Sequence, residues 1–336
     1  MFIRSYIVYR RLAKTMTSAE YLIKYVSTDI YNRIGFIKNH LTKGLIRIHE
    51  VTLTQNLVFE IHKFESETGL RLVDLYEATN EKMKGADLLL GMQVGSGYLK
   101  IPMQAKILKP FAKNKDGVYS VFHHKNSFGK QSDLLKKFAT ECGSYLPLYL
   151  LYNYTHGSSN VAPGEHEHYY GCSCLYAEVV PVPGSGRKTV RFSDLHPSPA
   201  IPWYHMFRKR GGSGGNSNGG AGRTPSPTGP ETTDPNDEIR EFYKQFGKNA
   251  NDEFINQLKF YTYEELTAEE DGWERVSPSE AVENIQTSTQ TPKYKLVFLP
   301  HPMRIITQDM LSLEIDDATG KQWLEDMGEE AAEYQY

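Results

Sequence analysis

The chain has 336 residues, with 38 Lys and Arg against 41 Asp and Glu, a formal net charge of −3, and 39% hydrophobic residues. That length accommodates one sizeable domain with appendages, and the hydrophobic share is enough for a packed core. The charge balance excludes a protein that coats nucleic acid through many unspecific phosphate contacts, and no apolar run of about 18 residues is present to form a membrane span.

The first nineteen residues carry Arg4, Arg10, Arg11 and Lys14 with no acid before Glu20. This is the bias of a mitochondrial presequence, shared by an ordinary basic helix and by an upstream start codon ahead of Met16. Residues 1–49 read as a helical N-terminal extension. From Thr54, a suitable N-cap, apolar residues recur at helical spacing to about residue 67. Leu70 to Ala78 then alternates like a strand.

The most informative stretch follows. Gly85-Ala86-Asp87-Leu88-Leu89-Leu90 and Leu99 to Leu108 flank a Gly95-Ser96-Gly97 break, the pattern of a β-hairpin. If Val94 faces Leu99, Asp87 lies opposite Lys106 and Leu89 opposite Gln104. Leu88, Leu90, Met92, Ile101, Met103, Ala105 and Ile107 then share the other face, an unbroken apolar set for a core. A one-residue slip would separate Asp87 from Lys106, so one register satisfies both faces.

Asp87 and the Gln104 carbonyl are hard oxygen donors suited to Mg²⁺ or Mn²⁺, which keep several waters and need few protein ligands. Lys106 adds the positive charge that positions a nucleophile or offsets charge developing on a phosphoryl group. The trio therefore suits phosphodiester hydrolysis, and a solvated polar strand face is the plain alternative.

Gln131 opens an amphipathic helix, 131–139, where its amide suits a phosphate or a metal-bound water. His123, His124, Lys125 and Lys130 in the loop before it are candidate phosphate contacts. Leu146 to Tyr154 reads as a buried strand.

At this point the chain resembles the PD-(D/E)XK, or restriction-endonuclease-like, nuclease superfamily. Its core has the element order α-β-β-β-α-β, with an Asp on the second strand and an (E/Q)-x-K on the third. The resemblance is closest to an uncharacterised group carrying Gly-Ala-Asp, Gln-Ala-Lys, a Gln-led helix and a Pro-Leu-Tyr strand. Here these are Gly85-Ala86-Asp87, Gln104-Ala105-Lys106, Gln131 onward and Pro147-Leu148-Tyr149. Gly171-Cys172 and Pro202-Trp203 are also similar, so the match covers roughly residues 50–207. Where the group carries Trp and Arg, this chain has Leu88 and Ile107.

The resemblance implies an α/β fold whose mixed sheet is flanked by helices, with C-terminal additions. It also implies a metal-dependent nuclease, acting on DNA in preference to RNA, with a role in defence against foreign nucleic acid. Asp87, Gln104 and Lys106 would be catalytic, and a second carboxylate, Glu81 first and Glu60 or Glu77 after it, would complete the metal site. The competing expectation is a catalytically silent nucleic-acid-binding or protein-interaction module on the same fold, with a homodimer compatible with either.

A rival metal site lies in His166-Glu167-His168-Tyr169-Tyr170-Gly171-Cys172-Ser173-Cys174, which offers two His and two Cys. Alternate residues of one short strand do not easily wrap a zinc tetrahedron, so a loop running into a strand, Cys172 to Val180, is expected instead. Three unpaired cysteines fit a reducing compartment, cytoplasmic or nuclear. Between 208 and 237 a Gly/Ser/Asn run and Arg223-Thr224-Pro225-Ser226-Pro227 form a linker or insertion. Residues 238–336 bring a helix pair, Asp237 to Phe260, a strand at Tyr294 to Leu299 and an acidic tail.

Overall fold

A computed structural model describes residues 17–40, 48–78, 86–111, 114–120, 122, 125–126, 129–155, 160–180, 189–208, 234–268, 273–276 and 293–299. The basic N-terminal segment, Glu81, His123, His124, the Gly/Ser run and the acidic tail lie outside these residues.

Two helices come first, α1 (Ser18–His40) and α2 (Glu50–Thr68). Helix α2 starts a turn earlier than its apolar pattern suggests, with His49 at the N-cap and no side-chain cap bond. Thr54 is therefore an interior residue. Its hydroxyl donates to the Glu50 carbonyl at 3.0 Å and lies 2.9 Å from the Tyr152 hydroxyl. The helix ends at Gly69, whose φ of 67° is the left-handed conformation that glycine adopts without a Cβ clash.

Strands β1 (Val73–Ala78), β2 (Leu88–Val94), β3 (Gly97–Phe111) and β4 (Asn114–Ser120) precede helix α3 (Gln131–Glu141) and strand β5 (Leu148–Tyr152). Strands β6 (Cys172–Tyr176), β7 (Thr189–Arg191) and β8 (Ile201–Pro202) follow. The rival metal segment is thus a 3-10 turn, Glu167–Gly171, feeding β6, and the strand stops at Tyr176 rather than Val180. Beyond residue 233 come α4 (Pro235–Lys244), α5 (Asp252–Ile255), α6 (Tyr263–Thr267), β9 (Trp273–Arg275) and β10 (Tyr294–Phe298).

Among the described residues one sheet holds ten strands, in the order β8-β6-β5-β3-β2-β10-β1-β9, with β4 on β3 and β7 on β4. Strand β3 runs parallel to β5, and β10 parallel to β2, while β2–β3 and β1–β10 are antiparallel. The fold is α/β, with a mixed, open sheet flanked by helices. Its late strand β10 enters between β1 and β2, so the region after residue 237 contributes a central strand.

The hairpin is tighter than the sequence register. Val94 pairs with Gly97 and Leu88 with Met103, two residues closer than the expected Val94–Leu99 pairing. The reason is the turn: Gly95, at φ 63°, takes the conformation that two-residue hairpin loops demand. A shift of two residues preserves every face, because side chains alternate with period two. Leu88, Leu90, Met92, Ile101, Met103, Ala105 and Ile107 accordingly all join one core with α1 and α2. The opposite face is also buried: Leu89, Tyr149, Leu151 and Val297 pack beneath Leu135 and Phe138 of α3 and Leu266 of α6.

Candidate functional site

The shift in register sets the site. Asp87 stands at the entry to β2, where its amide donates to the Met103 carbonyl at 2.9 Å, so its neighbour across the ladder is Gln104 rather than Lys106. The Asp87 carboxylate accepts from Gln104 Nε2 and, at 2.8 Å, from the Ala105 amide. It thereby occupies the backbone donor where the ladder ends, a structural role alongside any chemical one.

Gln104 and Lys106 follow on β3, both buried. Gln104 turns its amine to Asp87 and leaves Oε1 buried with no partner. Lys106 Nζ donates to Gln131 Oε1 at 3.1 Å, which joins the first residue of α3 to the strand. Parallel pairing places Tyr149 beside Gln104 and Leu151 beside Lys106, so the polar groups are walled by apolar side chains.

Burial dominates the electrostatics. It pushes the Asp87 carboxyl up and the Lys106 ammonium down from their ordinary values. The Ala105 amide and the Lys106 charge oppose the first shift, and the charges of Asp87 and Glu50 oppose the second.

Glu50 is the site residue that the sequence reading did not single out. It is the first residue of α2, half-buried, and its charge acts on Asp87, Lys106 and Tyr152. Placing the helix start at Thr54 hid it; an acidic residue in a helix's first turn is the signal that was available. Lys293, just before β10, likewise acts on Asp87 and was not foreseen.

The other carboxylates considered from sequence go elsewhere. Glu60 is buried on α2 and is engaged by Arg33 and by the Tyr25 hydroxyl at 3.1 Å, which bind α1 to α2. Glu77 lies on β1 opposite Tyr294 and Glu274. Glu81 lies outside the described residues.

Among the described residues no three His, Cys, Asp or Glu side chains gather as a metal-binding group. An ion at this site would therefore rest on the Asp87 carboxylate and the uncommitted Gln104 Oε1, with the Glu50 charge acting on the site. That set fits a hard, mostly hydrated divalent cation, and the orphaned buried oxygen is the observation that favours the fit. Cys172 and Cys174 are buried in the core with α1, and burial raises both thiols far above their ordinary range, as expected for inert cysteines.

A family profile described as a family of unknown function (DUF6615) matches residues 19–315, and the chain belongs to that family. No curated protein and no solved structure matches the chain. Among the described residues no helix is long and apolar enough to cross a membrane.

Proposed function

We propose that this protein is a restriction-endonuclease-like nuclease that hydrolyses phosphodiester bonds, in DNA before RNA, with Mg²⁺ or Mn²⁺ held by Asp87 and Gln104 under the charge of Glu50. The observation that carries the reading is that Asp87, Gln104 and Lys106 share one face of adjoining strands, with Gln131, at the start of α3, bonded to Lys106. The α-β-β-β-α-β order of α2, β1, β2, β3, α3 and β5, with β4 between β3 and α3, supports it.

A bound divalent ion supplies a Lewis acid for the phosphoryl oxygen and acidifies a coordinated water. Asp87 would hold the cation, and the charge of Glu50 would add to the negative field that retains it. Lys106, kept in place by Gln131 Oε1, presents a desolvated ammonium that offsets charge developing on the phosphate. Because Gln104 contributes no charge, the site depends more on Glu50 than one with two carboxylates on these strands.

A second reading has its own observation. Asp87 is held by two N–H donors and caps the end of the β2 ladder, which a silent binding module would retain for stability alone.

The test is incubation of the full chain with linear, circular and single-stranded DNA and with RNA, in Mg²⁺, Mn²⁺ or EDTA. Cleavage that needs metal supports the nuclease and identifies its polymer. A folded protein that cleaves none of them supports the binding module.

A further inference from the structure

Strand β10 brings a residue to the site as well as a strand to the sheet. It lies between β1 and β2, parallel to β2, with Tyr294 beside Leu88 and Leu296 beside Leu90. Ladder bonds continue one residue past its start: the Ala78 amide donates to the Lys293 carbonyl at 2.9 Å, and the Tyr294 amide to the Asp87 carbonyl at 3.4 Å. That pairing sets Lys293 beside Asp87 on neighbouring strands.

Alternation decides which face the two residues share. Tyr294, Leu296 and Phe298 enter the core with α1 and α2, whereas Val297 packs with Leu89 on the other side and Lys295 Nζ donates to the Leu266 carbonyl of α6 at 3.0 Å. Lys293 therefore belongs with Lys295 and Val297, and Asp87 with Leu89, on the face that carries Gln104 and Lys106. The two lysines of this segment differ in surroundings. Lys295 is 1% exposed and stands over the Tyr76 ring, 4.1 Å from its centroid, while Lys293 is half-buried at the end of the ladder. Both strands that flank β2 thus bring a cation to Asp87, Lys106 from β3 and Lys293 from β10, and both charges favour the ionised carboxylate.

We infer that Lys293 is a positioning residue of this site: it serves as a counter-cation of Asp87 in the metal-free chain, and a divalent ion binds at Asp87 against its charge. The inference rests on the nuclease reading, since it takes Asp87 as the residue that holds the ion. Like charges in partly buried surroundings repel, and a carboxylate already stabilised by an ammonium gains less from a second cation. The region after residue 237 thereby sets the metal affinity of a site whose other residues lie far earlier in the chain.

The test is calorimetric titration of the full chain with Mn²⁺ at low ionic strength, for wild type, Lys293→Met, Lys293→Arg and Asp87→Asn, each shown to melt cooperatively. Lys293→Met should bind Mn²⁺ about threefold tighter or more, Lys293→Arg within about twofold of wild type because the charge is kept, and Asp87→Asn about tenfold weaker or more. Rescue by arginine separates charge from packing, and Lys293→Gln serves if Lys293→Met does not fold. An affinity unchanged or weakened in Lys293→Met, or Lys293→Arg behaving like Lys293→Met, overturns the inference and leaves the nuclease reading standing. Wild type that binds no Mn²⁺, or binds it no better than Asp87→Asn, overturns both.

Discussion

Gln104 shows at the scale of one residue how the site balances charge. A carboxylate there would face Asp87 across the ladder, whereas the amide donates to it and stabilises the metal-free chain. Gln104→Glu should therefore lower metal-free stability by about 1–3 kcal/mol, the cost of losing that donor and burying a second charge. It should also enlarge the rise in melting temperature on adding Mg²⁺. Thermal melts of wild type and variant in EDTA and in Mg²⁺ check both, and an equal metal-induced shift in the two proteins contradicts a metal at Gln104. His196 gives a pH dependence. It is buried, stacked on Phe192 at 3.8 Å between ring centroids, and burial lowers its pKa to about 3. The unfolded imidazole takes a proton below its ordinary 6.5, which the folded one refuses until about 3, so the stability from this group is present above pH 6.5 and is lost as pH falls. Denaturation at pH 7 and pH 4.5 should show His196→Phe losing less stability than wild type, at about 1.4 kcal/mol per pH unit of this window. At this scale Asp87, Gln104 and Lys106 were legible because alternation leaves few registers that serve both faces. Glu50 was not, because its approach depends on where a neighbouring helix begins and how it docks.

At the scale of elements, local pattern named the pieces and long-range pairing placed them. The segment Tyr294 to Leu299 reads as a strand from sequence, and every residue of β10, Tyr294–Phe298, is buried, Lys295 included. Its position between β1 and β2 is invisible in the pattern, since the partners lie some two hundred residues away and one partner pair is parallel. The hairpin differs in kind: its register was two residues off because the strand pattern fixes faces while the turn fixes length. Leu296, 1% exposed at the middle of β10, should cost about 2–5 kcal/mol as Leu296→Ala in urea denaturation, the range for a buried leucine cavity. A loss below about 1 kcal/mol contradicts a central strand there. Gly171 tests the seat of α1, because a Cβ at that position overlaps the Ser27 carbonyl. Gly171→Ala should push α1 from the sheet and speed proteolysis within residues 18–40, with no such change expected for an exposed glycine such as Gly164, replaced in parallel.

At the scale of the molecule, the two ends of the described chain converge on one sheet. Helix α1 packs on the 3-10 turns Glu167–Gly171 and Trp203–Phe207, and β10 closes the centre. A chain ended at residue 237 would leave β1 and β2 without the strand between them, and it should lose cooperative unfolding by circular dichroism. The sheet arrangement also explains why the polar trio is recessed: both faces of the hairpin are covered. The measurement that bears most directly on the nuclease is the single-turnover rate of DNA cleavage in Mn²⁺ by wild type, Lys106→Met and Lys109→Met, each shown to melt cooperatively. The account predicts that Lys106→Met falls by at least about 100-fold while Lys109→Met stays near wild type. Cleavage undiminished in Lys106→Met contradicts it.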